Sequence, residues 1–268
     1  MECTHDCASC TSSCSSAAPA GTPAKAALCE GASVKKVIAV SGGKGGAGRS
    51  VLACLIAAEL QRRGKRTGIL DADITGASIA HYLGVDEACK DSPDYFFPAV
   101  SGGGIQLASV ELTLGQNSNP IAWRAATCSE AALTFWGSMF WKDLDVLLLD
   151  MPADTGDVAI ALYQALPVDG TLLVTKPSLG SVTAALRSGG MSVMSGVPVI
   201  GIVENMYSGT EEEYVRKAMA NVCRAFNLKN TVKCPCSEAV AVLTDAGRAE
   251  SADLSIVKEA ADLVEAVL

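Results

Sequence analysis

The sequence predicts an α/β fold: a doubly wound, mostly parallel sheet with helices on both faces. From residue 35 to residue 268, short apolar runs alternate with longer segments whose apolar residues recur at helical spacing. Strands that are buried on both faces read as such runs, and helical crossovers join parallel strands. Hydrophobic residues make up 49% of the 268 residues and charged residues 19%, which is enough apolar material for a buried core.

Predicted strands and helices alternate along the chain. The apolar runs predict strands over residues 37–40, 67–70, 145–150, 170–175, 197–205 and 230–233. The periodic segments predict helices over residues 51–64, 78–83, 158–166, 181–194, 211–226, 238–246 and 254–267. Residues 101–104 and 115–120, rich in Gly or Asn, are typical of loops.

The first 34 residues differ in composition from the rest of the chain. Residues 1–14 hold four cysteines among Ser and Thr, and residues 15–33 are rich in Ala, Pro and Gly, which is typical of a flexible tether. We therefore expect a Cys-rich leader and linker over residues 1–34 and one domain over residues 35–268.

Charge and hydropathy argue against several classes of protein. The net charge of −8 argues against binding to nucleic acid through a basic surface. No run of about 18 uncharged apolar residues is present, so neither a spanning helix nor a membrane partner is predicted. The first residues lack the basic and apolar regions of a secretory signal. We therefore expect a cytoplasmic protein whose thiols stay reduced.

The strongest motif is the segment 42–50, GGKGGAGRS, which follows an apolar strand and opens a helix. This is the context of a phosphate-binding loop, in which backbone N–H groups and the helix N-terminus hold the phosphates of a nucleotide. The hydroxyl of the final serine would bind Mg²⁺. The predicted nucleotide-binding residues of the loop are Gly43, Lys44, Gly45, Gly46, Ala47, Gly48, Arg49 and Ser50. A glycine-rich turn that only joins strand to helix is the alternative.

Arg49 departs from the usual form of this motif, which has Lys at that position. Arg keeps the positive charge, but its planar fork differs from the compact ammonium of Lys. We therefore expect nucleotide binding with weak or absent hydrolysis.

Three aspartates lie at the carboxyl ends of two of the predicted strands. Asp150 ends the run 145–150, where a carboxylate would hold the Mg²⁺ shell. Asp71 and Asp73 lie at the end of the strand over 67–70, and residues two apart on a strand share a face. We predict Asp71 as a further Mg²⁺ residue and Asp73 as the group that orients the attacking water. Alternatively, Asp71 and Asp73 cap the next helix.

The chain resembles the Mrp-type (ApbC-like) nucleotide-binding iron–sulfur carriers, within the MinD/ParA group of P-loop proteins. The resemblance covers nearly all of residues 35–268. It rests on GGKGGAGRS (42–50), GILDADITGASI (68–79), WR (123–124), LLLDMPADTGD (147–157), LPVDGTLLVT (166–175) and GIVENM (201–206), in that order.

The resemblance implies a homodimer that binds ATP or ADP with Mg²⁺, holds a [4Fe–4S] cluster and passes it to apoproteins. Lys44 matches the signature lysine, which reaches the phosphates across the dimer interface, so Lys44 and Asp73 are the implied catalytic residues. Asn205 matches a position that contacts the adenine, and Pro235 matches a segment that lines the base.

Two further departures from the family pattern indicate a diverged member. The Cys-Pro-x-Cys pair that commonly follows the Glu-Asn-Met segment is missing, because residues 207–213 contain no cysteine. The loop after Asp150 has Ala153 and Asp154 where the family has Pro and Gly. A carboxylate at this position would face and repel the γ-phosphate.

The sequence holds 11 cysteines, of which the first four form a candidate metal site. Cys3, Cys7, Cys10 and Cys14 follow the spacing C-x3-C-x2-C-x3-C, and four thiolates this close can wrap an iron–sulfur cluster or a zinc ion. The resemblance favours the [4Fe–4S] cluster over zinc, and unmetallated thiols are the third alternative.

A second candidate metal site is formed by Cys234 and Cys236. The segment Cys234-Pro235-Cys236 ends the last predicted strand. A turn that lines the base pocket is the favoured interpretation of this segment, and a cluster site shared across a dimer is the alternative.

Three functions fit these motifs to different degrees. The favoured one is an ATP-binding carrier or scaffold that assembles or transfers [4Fe–4S] clusters. A nucleotide-dependent regulator that has lost hydrolysis is the first alternative, because of Arg49. A MinD/ParA-type positioning ATPase is the second, although the acidic C-terminal helix offers no basic membrane-binding face.

Overall fold

The computed structural model describes residues 25–42, 44–114, 123–153, 155–229 and 231–268. The strands are β1 (Val37–Ser41), β2 (Thr67–Asp71), β3 (Lys90–Asp91), β4 (Phe96–Phe97), β5 (Ala99–Val100), β6 (Gln106–Ala108), β7 (Val146–Asp150), β8 (Gly170–Thr175), β9 (Val199–Tyr207) and β10 (Val232–Pro235). The α-helices are α1 (Arg49–Arg62), α2 (Ile79–Leu83), α3 (Glu111–Leu114), α4 (Ala125–Ser138), α5 (Asp157–Ala165), α6 (Leu179–Met194), α7 (Glu213–Ala225), α8 (Glu238–Asp245) and α9 (Lys258–Glu265).

Eight strands form one sheet in the order β10-β9-β8-β1-β7-β2-β6-β5. All neighbours are parallel except β5 and β6, which pair in the antiparallel direction. The short strands β3 and β4 form a separate antiparallel pair. The predicted doubly wound, mostly parallel sheet is therefore confirmed.

The central strand β1 separates two layers of the core. Ile38 and Val40 pack with α1 and α9 on one face of the sheet. Val37 and Ala39 pack with α4 and α5 on the other face. Because successive side chains of a strand point to opposite faces, a strand covered by helices on both sides has to be apolar at every position.

The structure differs from the sequence prediction in a few elements. The strands β3 to β6 have only two or three residues each, too few for a periodic pattern to predict them. The predicted helix over 254–267 is divided into a 3-10 turn, Leu254–Val257, and helix α9, because the backbone of Val257 is not helical (φ −112°, ψ 5°).

Residues 25–34, which the sequence assigns to the linker, lie against α4 and α5. The Ala26 N–H donates to the carbonyl of Ala165 (2.7 Å), and the indole N–H of Trp136 donates to the carbonyl of Ala26 (2.9 Å). Trp136 lies in α4 and is buried, and so is Trp141, which follows the end of that helix.

The described residues contain no helix that is both long and apolar enough to cross a membrane.

Replacing Arg63 by Ala is expected to lower the free energy of unfolding by about 1 kcal/mol. The Arg63 guanidinium joins the end of α1 to α9, because it contacts Glu59 (2.8 Å), Asp262 (2.6 Å) and Glu265 (2.8 Å). Urea unfolding measures the change. Lys217→Ala is the control, since Lys217 and its partner Glu213 are 74% and 70% exposed. Equal effects of the two substitutions would contradict the prediction.

Candidate functional site

The candidate site lies at the carboxyl ends of β1, β2, β7 and β9, where open α/β sheets bind their ligands. The loop after β1 begins at Gly42 and ends at Gly48, the residue before α1. Residue 43 of the predicted phosphate loop lies outside the described residues.

The backbone of this loop favours glycine at three positions, Gly42, Gly46 and Gly48. At Gly48, φ is +81°, a left-handed conformation that side chains rarely adopt, and a Cβ atom would also collide with the amide of Asn205. At Gly42, a Cβ atom would collide with the carbonyl of Val174 in β8. At Gly46, φ is +73°, so the left-handed backbone favours glycine there as well. At Gly45 a Cβ atom would meet no atom within 4 Å, so packing does not explain this glycine, whereas close approach of a phosphate would explain it.

Gly48→Ala is expected to lower the free energy of unfolding by about 1–2 kcal/mol and to weaken nucleotide binding at least tenfold. The reason is the left-handed backbone together with the collision with Asn205. Urea unfolding and a nucleotide titration measure the two effects. The control is Gly190→Ala in α6, where a Cβ atom meets nothing within 4 Å, so no loss of stability is expected. A Gly48→Ala protein that matches the wild type in both measurements would refute the prediction.

Asn205 connects the loop to a cavity on its far side. The Asn205 side-chain amide donates to the Ala47 carbonyl (3.0 Å). Gly48, Asn205, Pro235 and Cys236 line a cavity of about 240 Å³ together with apolar side chains of α1 and α8. The structure therefore brings the two residues predicted to contact the base, Asn205 and Pro235, to one cavity beside the loop.

Asp71 and Asp150 lie side by side, because they are paired residues at the ends of β2 and β7. Both are fully buried, and no described residue is in good hydrogen-bond geometry with Oδ1 of Asp71 or with either oxygen of Asp150, although the hydroxyl of Ser50 is near enough to Asp150 to lower its pKa. Burial raises the pKa of both carboxyl groups, and the charge of Asp150 raises that of Asp71 further. The hydroxyl of Ser50 and the charge of Arg49 oppose the increase in the pKa of Asp150.

These residues fit a hydrated Mg²⁺ ion. Adjacent carboxylates with unpartnered oxygens and a hydroxyl are ligands that Mg²⁺ prefers, and a cation between them would offset the repulsion of two buried charges. Ser50 supplies the hydroxyl from the first turn of α1.

The second oxygen of Asp71 caps α2. Asp71 Oδ2 accepts hydrogen bonds from the backbone N–H of Ser78 (3.2 Å) and from the hydroxyl of Ser109 (3.2 Å). Asp71 therefore caps α2, as the alternative interpretation predicts, and its other oxygen also faces the candidate Mg²⁺ site. Sequence reasoning missed Ser109, because it follows a strand of only three residues that carries no predictive pattern.

Arg49 is buried and points to Asp73. Its Nη2 lies 3.3 Å from Asp73 Oδ2, and its Nη1 is buried without a partner in the described part of the chain. The arginine that replaces the usual loop lysine is therefore paired with the carboxylate that was predicted to orient the attacking water.

Lys44 is exposed, and its ammonium nitrogen lies close to Gly180 at the start of α6. The side chain is therefore on the outer side of the loop and does not enter the buried carboxylate pair.

The cysteine predictions are not tested by the structure. Cys3, Cys7, Cys10 and Cys14 lie outside the described residues, as does Asp154. No group of three or more His, Cys, Asp or Glu side chains in the described ranges could hold a metal ion.

Cys234 and Cys236 have different surroundings. The Cys234 thiol is buried and donates to the carbonyl of Ile256 (3.1 Å), and burial raises its pKa to about 11. Cys236 is exposed at the base cavity. The second metal site stays a prediction, and the position of Cys236 agrees with the favoured interpretation as a base-pocket turn.

A doubly wound sheet whose central strand leads through a glycine loop into a buried helix defines a P-loop NTPase of the MinD/ParA type. The chain belongs to the ParA family of NUBPL iron-transfer P-loop NTPases, whose family model matches residues 33–268.

Two relatives named iron-sulfur cluster carrier protein show the extent of the similarity. The chain is 38% identical over 188 residues to one from Methanocaldococcus jannaschii, covering 69% of this chain and 64% of that protein. It is 40% identical over 174 residues to one from Haemophilus influenzae, covering 65% of this chain and 47% of that protein. The chain thus spans about half to two thirds of the length of the curated relatives it matches.

Solved structures agree with the fold. A nucleotide-binding protein from Archaeoglobus fulgidus in complex with ADP has a TM-score of 0.70 and 26% identity, over 84% of this chain and 91% of that one. The cell division ATPase MinD from Pyrococcus furiosus has a TM-score of 0.63 and 19% identity, over 87% of this chain and all of that one, and supports the fold alone.

Proposed function

We propose that this protein is an ATP-binding carrier that assembles [4Fe–4S] clusters or transfers them to apoproteins, with weak or absent ATP hydrolysis. Membership of a family of iron-transfer P-loop NTPases is the observation that carries the proposal. The names of the relatives agree with it. The setting would be the cytoplasm, where thiols remain available as ligands.

The nucleotide site is proposed as follows. The loop from Gly43 to Ser50 binds the phosphates, and Asn205 and Pro235 contact the base. Ser50, Asp71 and Asp150 hold Mg²⁺, which neutralises phosphate charge when it is bound. The buried, unpartnered oxygens of the two aspartates support this assignment.

The protein is proposed to form a homodimer in which a second copy of the chain lies against the nucleotide site. Lys44 is exposed at the rim of the loop, a position that suits contact with a nucleotide across a homodimer interface. Apoproteins that receive the cluster are the other proposed partners.

The cluster is the cargo, and Cys3, Cys7, Cys10 and Cys14 are its proposed ligands. Thiolates select iron–sulfur clusters or zinc, and membership of an iron-transfer family favours iron. Zinc at these four residues is the alternative that metal analysis has to exclude.

Replacing both Cys7 and Cys10 by Ser is expected to remove most of the bound iron, because two thiolate ligands out of four are lost. After anaerobic reconstitution, iron and zinc content and the broad blue-visible absorption of the cluster are measured. Cys89→Ser is the matched control, since this half-buried thiol lies in neither candidate site. Unchanged iron in the double variant, or zinc in place of iron in the wild type, would refute the proposal.

One observation favours a second candidate, a nucleotide-dependent regulator without turnover. Arg49 forms an ion pair with Asp73, and this pair engages the carboxylate that would orient water in hydrolysis. Such a regulator would bind ATP and ADP but show no turnover and contain no iron, so the same metal analysis separates the two functions.

A further inference from the structure

A second cavity, of about 450 Å³, lies between α7 and the strands β9 and β10. We call it the α7 cavity, and its floor contains Glu204, Met219, Cys223 and Leu228. Its volume is within the range of small-molecule sites, about 300–1,000 Å³. The adjacent residues Glu204 and Asn205 of β9 line different cavities, because successive strand side chains point to opposite faces. The α7 cavity is therefore separate from the base cavity.

The α7 cavity is lined by a buried residue, Glu204, whose carboxylate has no hydrogen-bond partner among the described residues. Glu204 is only 4% exposed, and no hydrogen bond from the described residues reaches its carboxylate. Its neighbour across the strand pair, Lys233, contacts Tyr207 instead, with Nζ 2.9 Å from the hydroxyl and 4.0 Å from the ring centroid. Burial raises the pKa of Glu204, and the charge of Lys233 only partly opposes that increase. A ligand that brings a hydrogen-bond donor into the cavity would supply the direct contact that this carboxylate lacks.

The wall and mouth of the α7 cavity are rich in unpaired cations. Its four basic residues are Arg216, Arg224, Lys229 and Lys233. None of them forms an ion pair within the described residues. Glu211 is the only other carboxylate among the described lining residues, and it accepts a hydrogen bond from the backbone N–H of Gly209 (3.2 Å). Positive charge therefore predominates around the single buried acceptor.

We propose that the α7 cavity binds a small ligand that carries one ammonium group and at least two carboxylates, such as an acidic amino acid or acidic dipeptide. The ammonium group would donate to Glu204. The carboxylates would face Arg216, Arg224 and Lys229, because guanidinium groups bind carboxylates in a bidentate manner. This site is independent of the proposed carrier function, since it shares no residue with the phosphate loop or with the candidate cluster ligands; Cys223, which lines it, belongs to neither.

The test is a calorimetric titration of the full chain with L-glutamyl-L-glutamate and with its N-acetylated form. The acetylated form lacks the ammonium group but keeps every carboxylate, so attraction to the cations alone would make it bind at least as well. We expect the free dipeptide to bind at least tenfold more tightly, and L-glutamate to bind more weakly than the dipeptide. No binding of the free dipeptide, or equal binding of both forms, would overturn the proposal.

Variants locate the ligand within the α7 cavity. Glu204→Gln is expected to remove the preference for the free amine, and Arg216→Ala with Arg224→Ala to weaken both forms at least tenfold. Lys217→Ala, on the same helix but paired with Glu213 outside the cavity, should change neither. Thermal unfolding and ADP binding verify that each variant is folded. If Glu204→Gln does not fold, the arginine variants decide: unchanged affinity in them would overturn the assignment.

Discussion

Replacing Arg49 by Lys is expected to raise the rate of ATP turnover about tenfold, which corresponds to about 1.4 kcal/mol of transition-state stabilisation. In the structure, Nη2 of Arg49 lies 3.3 Å from Oδ2 of Asp73. A lysine has a single compact ammonium in place of the planar fork, and its flexible stem can direct that charge to the phosphates. The substitution would therefore release Asp73 from the guanidinium, so that its carboxylate can orient water. A phosphate-release assay at saturating ATP measures the change.

The control for this prediction is the Asp73→Asn substitution, made both in the wild type and in the Arg49→Lys variant. If the gain comes from release of Asp73, turnover falls back to the low rate in the Arg49→Lys, Asp73→Asn double variant. ATP affinity, measured separately, should change little between the wild type and the Arg49→Lys variant, because both side chains are cationic. An unchanged rate in Arg49→Lys would instead point to the loop around residues 153–154 as the limiting feature.

Asp150→Asn is expected to stabilise the metal-free protein by at least about 1 kcal/mol at pH 8 and to abolish the Mg²⁺ dependence of ATP binding. The wild type buries two adjacent carboxyl groups whose pKa values are raised in the folded state. Between the ordinary pKa of about 4 and the raised value, the folded state binds more protons than the unfolded state. Stability of the wild type therefore falls as the pH rises through this window. The neutral amide removes most of that slope.

Urea unfolding in EDTA at about pH 5 and about pH 8 measures this slope. Asp145→Asn is the matched control with the opposite sign, because Lys35 and the backbone N–H of Arg66 lower the pKa of Asp145 to about 2. Asp145 stabilises the fold above its unfolded pKa and loses that contribution in acid, so its replacement should destabilise the protein at both pH values. Parallel slopes for the wild type and Asp150→Asn would show that the buried pair does not control the pH dependence.

The central sheet could be predicted from the sequence, whereas its edge could not. Strands such as β1 and β7 are covered on both faces, so they read as uninterrupted apolar runs. Strand β5 has two residues, Ala99 buried and Val100 58% exposed, and it pairs only with β6. Two residues are too few to produce the alternation of apolar and polar side chains from which a strand can be predicted.

In the candidate site, too, some features could be predicted from the sequence and others depend on contacts that form only in the folded structure. Asp71 and Asp150 were predictable as strand-end carboxylates, because parallel strands end at one edge of the sheet. The contact of Arg49 with Asp73 depends on how far a side chain reaches across the loop, which no residue pattern encodes. The unpartnered Glu204 was also missed, since Lys233 lies opposite it on β10 and turns to Tyr207 only in three dimensions.

The position of β1 in the middle of the sheet has a consequence for folding during synthesis. β1 lies between β7 and β8, and the backbone of Val37 already bonds to Asp169, 132 residues later in the chain. The strands β7 and β8, which hold β1 and the phosphate loop in place, are thus synthesised long after the loop itself. A nascent chain cannot form these distant contacts until β8 has been synthesised, so its phosphate loop cannot bind nucleotide before that point. ATP is therefore expected to stabilise only the last stage of folding.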